Sequence, residues 1–551
     1  MAFRPTTPTP ESIPPADVNL RLNPPSAKDG PTYLHPLNPL LFLLRAAQIY
    51  PDKVALAHPD VKYPVVYTFT VWAQRVQNFA YGLKRAGIKP GDRVAVIAPN
   101  STVLELESDA CHGVLAARAI LTPINTRLRP QEILMLIPDH SGASLILIDE
   151  ELLPLIAGSK LPRIVCKDTG RSDDAYEEFL SEGRRYSQEK GWAGLDVEPD
   201  ENAGALLCAL TTLRGTYLAA VGNAFEGQID KESTYLWILP MFHAGGWTFP
   251  WSSTFAFATQ ITLRTVNYPQ IWNHFLNSKV THYCGAPTVQ IGIVNDPSAR
   301  KLARPISAII AGAAPTAHLL GALEKIGIKP IHVYGLTGYD QQFWAKITLE
   351  QRSKLIARQG HSFATAEGVR VAEMRDDDQI IDVPRDGKTV GEIVTRGNLV
   401  MKEYFRDPEA TKKAFRGGYF HSGDLAVMHP DGSIAVVDRS KDIIISGGEN
   451  ASSLAIEQGS HPHVLEVSVV ARAHPVWGER PMAFVIIHPE HVARWSGRVD
   501  EFVKDLMEHA KARLPGFARP DWVEVVPELP VSEFRSNVVS EAHQWIENLH
   551  W

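Results

Sequence analysis

The sequence predicts an α/β protein: a large N-terminal domain with parallel sheets flanked by helices plus a small β-structure, and a smaller α+β C-terminal domain. Three observations predict it. From Pro39 to about Tyr334, short apolar runs alternate with helical patterns, and strands of that kind, buried on both faces, belong in parallel sheets covered by helices. Beyond about Val390 the pattern changes to short strands with Gly-rich turns. The length, 551 residues, exceeds what one hydrophobic core holds, so two or more domains are required.

The elements follow in order. Residues 1–33 carry Pro5, Pro8, Pro10, Pro14, Pro15, Pro24, Pro25 and Pro31 and little that could form a core, which predicts an extended tail. It lacks the basic start and apolar stretch of a secretory signal. Between Val71 and Gly87, Trp72, Val76, Phe79, Ala80 and Leu83 fall on one helical face. Gly87 is placed to end that helix, and Pro90-Gly91 turns the chain. Arg93 to Ala98 reads as a buried parallel strand ended by Pro99-Asn100, and similar strands recur at Ala143–Ile148, Tyr235–Leu239, His282–Cys284, Ala308–Ala311 and Ile331–Tyr334. Short strands are expected at Gly391–Gly397 and Gly432–Val437. After Lys441, strands at Val464–Val470 and Met482–Ile487 and a helix from Asp500 to Arg513 indicate a separate domain of ordinary size.

Composition excludes several function classes. Lys+Arg 55 against Asp+Glu 62 gives a net charge of -7, so no basic face is available for nucleic acid. The longest apolar runs, such as Leu40 to Leu44, are too short for a membrane span. Cys111, Cys166, Cys208 and Cys284 are too scattered for a disulfide framework or a zinc site, which points to a reducing compartment. The final residues, Asn548-Leu-His-Trp551, do not match the peroxisomal tripeptide. The cytoplasm is therefore expected, with the peroxisome second. Nothing in the sequence sets the oligomeric state.

The segment richest in chemistry is Gly418-Tyr-Phe-His-Ser-Gly-Asp-Leu425, followed by His429-Pro-Asp-Gly432 and Asp438-Arg-Ser-Lys-Asp-Ile-Ile-Ile-Ser-Gly-Gly-Glu-Asn450. An aspartate in a Gly-flanked turn can accept two hydroxyl hydrogen bonds from a ribose. The cations Arg439 and Lys441 sit at a candidate domain junction, and Gly447-Gly448 permits close backbone approach to a ligand. Each piece alone reads more readily as a solvated turn or glycine loop; their order and spacing together do not.

With these segments the chain, from about His35 to Pro530, resembles the adenylate-forming enzymes, in the acyl-CoA synthetase (acid–thiol ligase) branch. The resemblance extends to Leu239-Pro-Met-Phe-His-Ala-Gly-Gly-Trp-Thr-Phe249, Gly285-Ala-Pro-Thr288, Ala311-Gly-Ala-Ala-Pro315, Tyr334-Gly-Leu-Thr337 and His474-Pro-Val-Trp-Gly-Glu-Arg-Pro481. It implies a tail at 1–33, an AMP-binding domain at 34–438, a hinge at 439–441 and a mobile C-terminal cap at 442–551. It implies ATP, Mg2+ and CoA as reactants and cofactors and a small carboxylic acid as substrate, in fatty-acid or secondary metabolism. Thr337 would contact the α-phosphate. Tyr334 and Gly335 would line the nucleotide pocket, Asp424 would hold the ribose with Arg439 beside it, and Lys441 would be the hinge. The acyl and CoA pocket would comprise His243, Trp247, Gly285, Gly312, Ala313, Gly447 and Gly448. Taken alone, His243 reads equally as a packed core histidine. The small residues at 285–286 and 311–314 would leave room for a medium-length or branched acid.

The sequence departs from the family at three places. The family's Ser/Thr/Gly-rich phosphate loop, ending Pro-Lys-Gly, cradles the β- and γ-phosphates; here the strand Ala205 to Ala209 runs directly into Leu210-Thr-Thr-Leu-Arg-Gly215. About ten residues are missing by comparison with that pattern, and only the hydroxyls of Thr211 and Thr212 remain nearby. The magnesium-holding Glu after Thr337 is replaced by Gly338, leaving Asp340 as the nearby carboxylate. Near the C-terminus, Leu529-Pro-Val-Ser-Glu-Phe-Arg-Ser536 puts Ser536 where the family has a charge-stabilising Lys, with Arg535 beside it. One lost donor to a transferring phosphoryl group costs about 10²–10³ in rate, so adenylation should be strongly weakened. Three readings follow: an acid–CoA ligase that tolerates the losses or whose transcript restores the loop; a different enzyme on acyl substrates; and a non-catalytic acyl- or nucleotide-binding protein.

Overall fold

The structure is a computed structural model that describes residues 3–16, 18–23, 35–100, 109–167, 169–206, 209–243, 248–312, 315, 317–333, 348, 351, 355, 358–375, 378–458, 461–527 and 529. Two seven-stranded sheets form the large part of the chain. The first runs in the order Ile328–His332, Ile306–Ile310, His282–Cys284, Thr234–Trp237, Thr259–Thr262, Val54–His58, Val65–Thr68. All its neighbours are parallel except the last pair. The second runs Glu403–Tyr404, Ala209–Thr212, Ala203–Leu206, Ile120–Pro123, Arg93–Ile97, Leu145–Asp149, Arg163–Cys166, parallel from Ala203–Leu206 onward. The predicted α/β architecture is present. Central strands such as Leu145–Asp149 are buried along their whole length, as a sheet covered on both faces requires.

The helix Phe69–Arg85 matches its predicted stripe. The Thr68 hydroxyl accepts from the Val71 N–H at its start, and Gly87, at φ 87°, ends it in the left-handed region that favours glycine. It packs on the helix Ala175–Tyr186 so closely that a Cβ on Gly183 would meet the Asn78 carbonyl oxygen at 2.0 Å. Across this contact the buried Arg75 guanidinium donates to both carboxylate oxygens of Glu177, at 2.9 and 2.6 Å, and lies 3.5 Å from Asp109. Burial outweighs the Arg75 charge and raises the Asp109 carboxyl above the usual carboxylate range.

A third, antiparallel sheet orders Ile380–Asp382, Arg370–Met374, Val390–Thr395, Phe420–Met428 and Ile434–Arg439. The fourth belongs to the C-terminal part: Glu449–Ala451, Ile444–Ser446, Gly478–Ile487 and Val464–His474, with Trp522–Val525 parallel to Gly478–Ile487. Its own core includes Ile444, Val469, Val485, Trp495 and Phe502, with the helix Val499–Arg513 where the sequence placed one. Among the described residues, no helix is long and apolar enough to cross a membrane.

Several local expectations are corrected. The described residues of the proline-rich N-terminus, 3–16 and 18–23, are largely extended but lie on the body: Leu22 is buried in the largest core, Thr6 N–H donates to the Val66 carbonyl, and Ser12 accepts from Arg75. A single leucine and backbone hydrogen bonds suffice where a core-forming run was absent. The strand expected at Ile331–Tyr334 instead spans Ile328–His332; it lies at a sheet edge, where Pro330 is tolerated. The strands expected at Val464–Val470 and Met482–Ile487 extend to Val464–His474 and Gly478–Ile487, because a partly exposed hairpin admits polar residues such as Arg472 and Arg480 that break the apolar pattern read from the sequence. The single strand expected at Ala205–Ala209 is two, Ala203–Leu206 and Ala209–Thr212, paired antiparallel.

Gly183→Ala should destabilise the protein by about 1–3 kcal/mol through overpacking against the Asn78 backbone. Chemical denaturation of the full chain measures it, and an unchanged midpoint would contradict backbone contact between the two helices.

Candidate active site

Topology gathers the site. The strands Thr234–Trp237, His282–Cys284, Ile306–Ile310 and Ile328–His332 are consecutive neighbours, all parallel. The segments that follow them are 239–243, 285–288, 311–315 and 334–337. The described residues of the first three segments therefore leave the same carboxyl edge of one sheet, where open α/β sheets bind ligands, and 334–337 lie outside the described residues. Gly285 N–H donates to the Ile309 carbonyl at 3.1 Å, joining two of these ends. A Cβ on Gly285 would meet Val289 and Gln290 at 3.1–3.3 Å, so bulk is excluded there. Gly312, at φ 91°, has nothing among the described residues within 4 Å of a would-be Cβ.

The second sheet contributes residues that the sequence did not single out. Asn100, beyond the end of Arg93–Ile97, donates from Nδ2 to the Leu239 carbonyl at 2.9 Å and accepts from the Met241 N–H at 2.9 Å. This buried amide clamps the segment that carries His243. Arg127, which follows the strand Ile120–Pro123, lies 5.9 Å over the Phe242 ring. His243 is buried, packed on Phe242 at 4.4 Å between ring centroids. Burial, then the Arg127 charge, push its pKa from 6.5 down to about 4, so the imidazole is neutral at physiological pH. A neutral, desolvated imidazole is suited to line an acyl channel without attracting counter-ions.

The predicted ribose residues come together. Asp424 and Arg439 are cross-strand partners of Phe420–Met428 and Ile434–Arg439, with Nε 3.4 Å from Oδ1. Glu392, unremarked in the sequence, positions the turn: one carboxylate oxygen accepts from the Gly423 N–H at 2.8 Å and the other meets His421 Nδ1 at 2.8 Å. Gly423 is at φ 75°. The half-buried Asp424 carboxylate thus sits on a fixed backbone, and its chemistry fits two ribose hydroxyl donors.

Lys441 is exposed in the turn between Ile434–Arg439 and Ile444–Ser446. Just before it, the buried Asp438 carboxylate accepts from the Ser453 hydroxyl at 3.0 Å and the Leu454 N–H at 3.3 Å, at the start of the helix Ser453–Gln458. Gly447 and Gly448, at φ 63° and 86°, form the two-residue turn joining Ile444–Ser446 to Glu449–Ala451. Trp477 packs where a Gly447 Cβ would be, at 2.7 Å.

The shortened connection is visible as a hairpin. Leu206 pairs with Leu210 across the ladder, so residues 207–209 alone separate the partners. Thr212 caps the helix Leu213–Glu226, its hydroxyl accepting from Gly215 N–H at 3.0 Å, and Thr211 Oγ1 donates to the Ala205 carbonyl at 3.4 Å. These hydroxyls serve the local backbone and do not replace a phosphate cradle. Trp247, Ala313, Tyr334, Gly335, Thr337 and Asp340, with Arg535 and Ser536, lie outside the described residues.

Comparison with known proteins identifies the class. The model of the AMP-binding enzyme family matches residues 43–208 and 201–405, and that of the AMP-binding enzyme C-terminal domain matches 458–533. The peroxisomal acetate/butyrate–CoA ligase of Arabidopsis thaliana is 35% identical over 533 residues, covering 89% of this chain and 91% of its own. The peroxisomal benzoate–CoA ligase of the same plant is 32% identical over 537 residues, covering 90% of each. Among solved structures, ATP-bound MatB from Rhodopseudomonas palustris superposes with a TM-score of 0.75 at 19% identity, over 92% of this chain and 99% of that one. The anthranilate CoA ligase AuaEII bound to anthranoyl-AMP gives 0.74 at 19%, over 95% and 100%. The chain belongs to the AMP-binding enzyme family, the adenylate-forming superfamily. Within it, the chain falls among the ATP-dependent, AMP-forming acid–CoA ligases.

The depressed His243 pKa carries a stability signature. The unfolded chain takes up the proton first, so the neutral-imidazole contribution is complete above pH 6.5 and is lost as pH falls toward 4. Wild type should therefore lose more thermal stability across that window than His243→Gln. Parallel pH–Tm curves for the two proteins would refute it.

Proposed function

We propose that this ligase activates a small carboxylic acid and transfers it to CoA, with a slow adenylation half-reaction and an intact thioester-forming half. The carboxylate attacks the ATP α-phosphate, releasing pyrophosphate; the CoA thiolate then attacks the acyl carbonyl and AMP leaves. The single observation that carries the proposal is the contrast between two ends of one site. The ribose end, Asp424 with Arg439 on a turn held by Glu392, is built. The phosphate end is a connection of three residues between paired leucines. That the family model matches in two segments meeting at 201–208 supports a real interruption there.

In this reading Thr337 contacts the α-phosphate, while Tyr334 and Gly335 line the nucleotide pocket. His243, Trp247, Gly285, Gly312 and Ala313 border the acyl group, Lys441 is the pivot, and Gly447 and Gly448 line the thiol path. Gly312, with no described residue within 4 Å of a would-be Cβ, and the acetate, butyrate and benzoate named for the relatives support a short aliphatic or aromatic acid. The cytoplasm is the proposed compartment, with the peroxisome, named for several relatives, as the alternative.

Two measurements test this. ATP–pyrophosphate exchange over a panel of short and aromatic acids should be weak. Inserting a Gly/Ser/Thr-rich loop ending Pro-Lys-Gly between Leu206 and Ala209 should raise it by about 10²–10³. Meanwhile synthetic acyl-AMP plus CoA should yield acyl-CoA at similar rates with or without the loop. Robust exchange by the unaltered chain would overturn the slow-adenylation reading, and no thioester from acyl-AMP would overturn the ligase reading itself. Second, Asp424→Ala should lower kcat/KM for ATP roughly tenfold to a hundredfold, the worth of a hydrogen bond to a charged group; an unchanged value would remove Asp424 from the ribose site.

A further inference from the structure

Two buried carboxamides, from different elements, fix the backbone of the two strand ends that carry His243 and Gly285. The strand Thr234–Trp237 makes its last ladder pairs at Leu236 and Trp237, so the segment beyond must satisfy its backbone groups elsewhere. Asn100 does this from the end of the second sheet. Its Nδ2 donates to the Leu239 carbonyl and its Oδ1 accepts from the Met241 N–H, both at 2.9 Å. The turn that His243 N–H closes on the Pro240 carbonyl, at 3.1 Å, is carried on these two anchors. Asn100, Leu239 and Met241 are all buried, so loss of the amide would orphan two buried backbone groups.

The neighbouring strand end is held in the same way. Gly285 N–H is spent on the Ile309 carbonyl of the next strand, and its own carbonyl accepts from Gln290 Nε2 at 3.2 Å. Gln290 stands on the helix Pro287–Asn295 and is fully buried. Its Oε1 accepts from the hydroxyl of the equally buried Tyr283, at 2.7 Å. Each amide has one allowed orientation, because Leu239 and Gly285 present carbonyls that only accept, while Met241 presents an N–H that only donates. Two bonds from one planar amide to one segment fix its rotation as well as its distance. That is the support a binding pocket needs if its geometry is to hold to a fraction of an ångström.

We propose that Asn100 and Gln290 are positioning residues for the acyl group. Asn100 sets how far His243 stands from the second sheet, Gln290 sets where Gly285 stands beside it, and the pair lets the pocket sort acids by size. This rests on the placement of the acyl group against His243 and Gly285 proposed above. A pocket separates ligands that differ by a methylene only while its walls cannot yield, and such sorting is worth about 10–200-fold. Gly285 has Val289 and Gln290 packed at the position of a would-be Cβ, and the resistance of this wall and of the His243 segment comes from the two amides.

The test is equilibrium binding, to the full chain, of AMP and of non-hydrolysable sulfamate analogues of acetyl-, butyryl- and benzoyl-AMP. Asn100→Asp keeps shape but sets an oxygen against the Leu239 carbonyl, and Gln290→Glu does the same to Gly285. Each should compress the spread in affinity among the three analogues by about tenfold, with affinity for AMP unchanged. Tyr283→Phe keeps both carboxamides and removes only the hydroxyl that orients Gln290; it should compress the spread less, and it carries the test if a buried carboxylate unfolds the other variants. Tyr81→Phe, which deletes the hydrogen bond of a buried tyrosine to the Gly191 carbonyl, should lower Tm and leave the spread as in wild type. An unchanged spread in every folded variant, an equal loss for AMP, or a wild type that binds all three analogues alike or no tighter than AMP would overturn the positioning role. Thioester formation from acyl-AMP and CoA is scored separately: its absence in a wild type that sorts the analogues overturns the ligase reading and leaves the positioning role standing.

Discussion

The parallel ladder that joins Thr234–Trp237, His282–Cys284, Ile306–Ile310 and Ile328–His332 is the constraint on which the rest depends. Parallel pairing sends every chain end to the same edge, and crossover helices return the chain to the opposite edge each time. Segments separated by about a hundred residues of sequence are brought together by that geometry alone. Asn100 then links this edge to the second sheet through two hydrogen bonds to backbone groups. Substitution at a strand centre would disturb the position of several functional segments at once.

The same logic explains how a short connection after Ala203–Leu206 is compatible with the fold. A loop at a strand end adds no ladder hydrogen bonds, so its loss need only leave a connection long enough to reverse the chain. Leu206 and Leu210 pair directly, and Thr212 still caps the following helix. Among the described residues of the hairpin, the Thr211 and Thr212 hydroxyls both bond to the local backbone. The ribose turn, held by Glu392 of the neighbouring strand in its own antiparallel sheet, is unaffected.

How far the sequence could be read follows from the range of each interaction. The helix Phe69–Arg85 and its glycine stop, the central strands and the Gly447-Gly448 turn were legible because periodicity, caps and turn chemistry are local signals. The Asp424–Arg439 pair was legible through motif order, and the structure supplies its cross-strand register. Asn100, Arg127 and Glu392 were not legible. Their partners lie far away in sequence, and a single asparagine after a proline reads first as a strand terminator. The burial of Leu22 and the second strand at Ala209–Thr212 escaped for a related reason: a lone leucine and a Thr-Thr pair carry no periodicity, and tertiary pairing decides them.

Asp438 has a consequence for how fast the C-terminal part can swing. Its carboxylate belongs to the strand before the turn at 440–442, and while one oxygen accepts from the neighbouring Arg439 N–H, the other accepts from two donors of the helix beyond it. If the chain pivots at Lys441 as proposed, the swing would break the bonds from Ser453 and Leu454, at about 1.5–3 kcal/mol for each hydrogen bond to a charge. The carboxylate therefore acts as a latch in series with the pivot. In the proposed pivot, its release would add to the barrier for domain exchange independently of how tightly any acyl group or nucleotide is held.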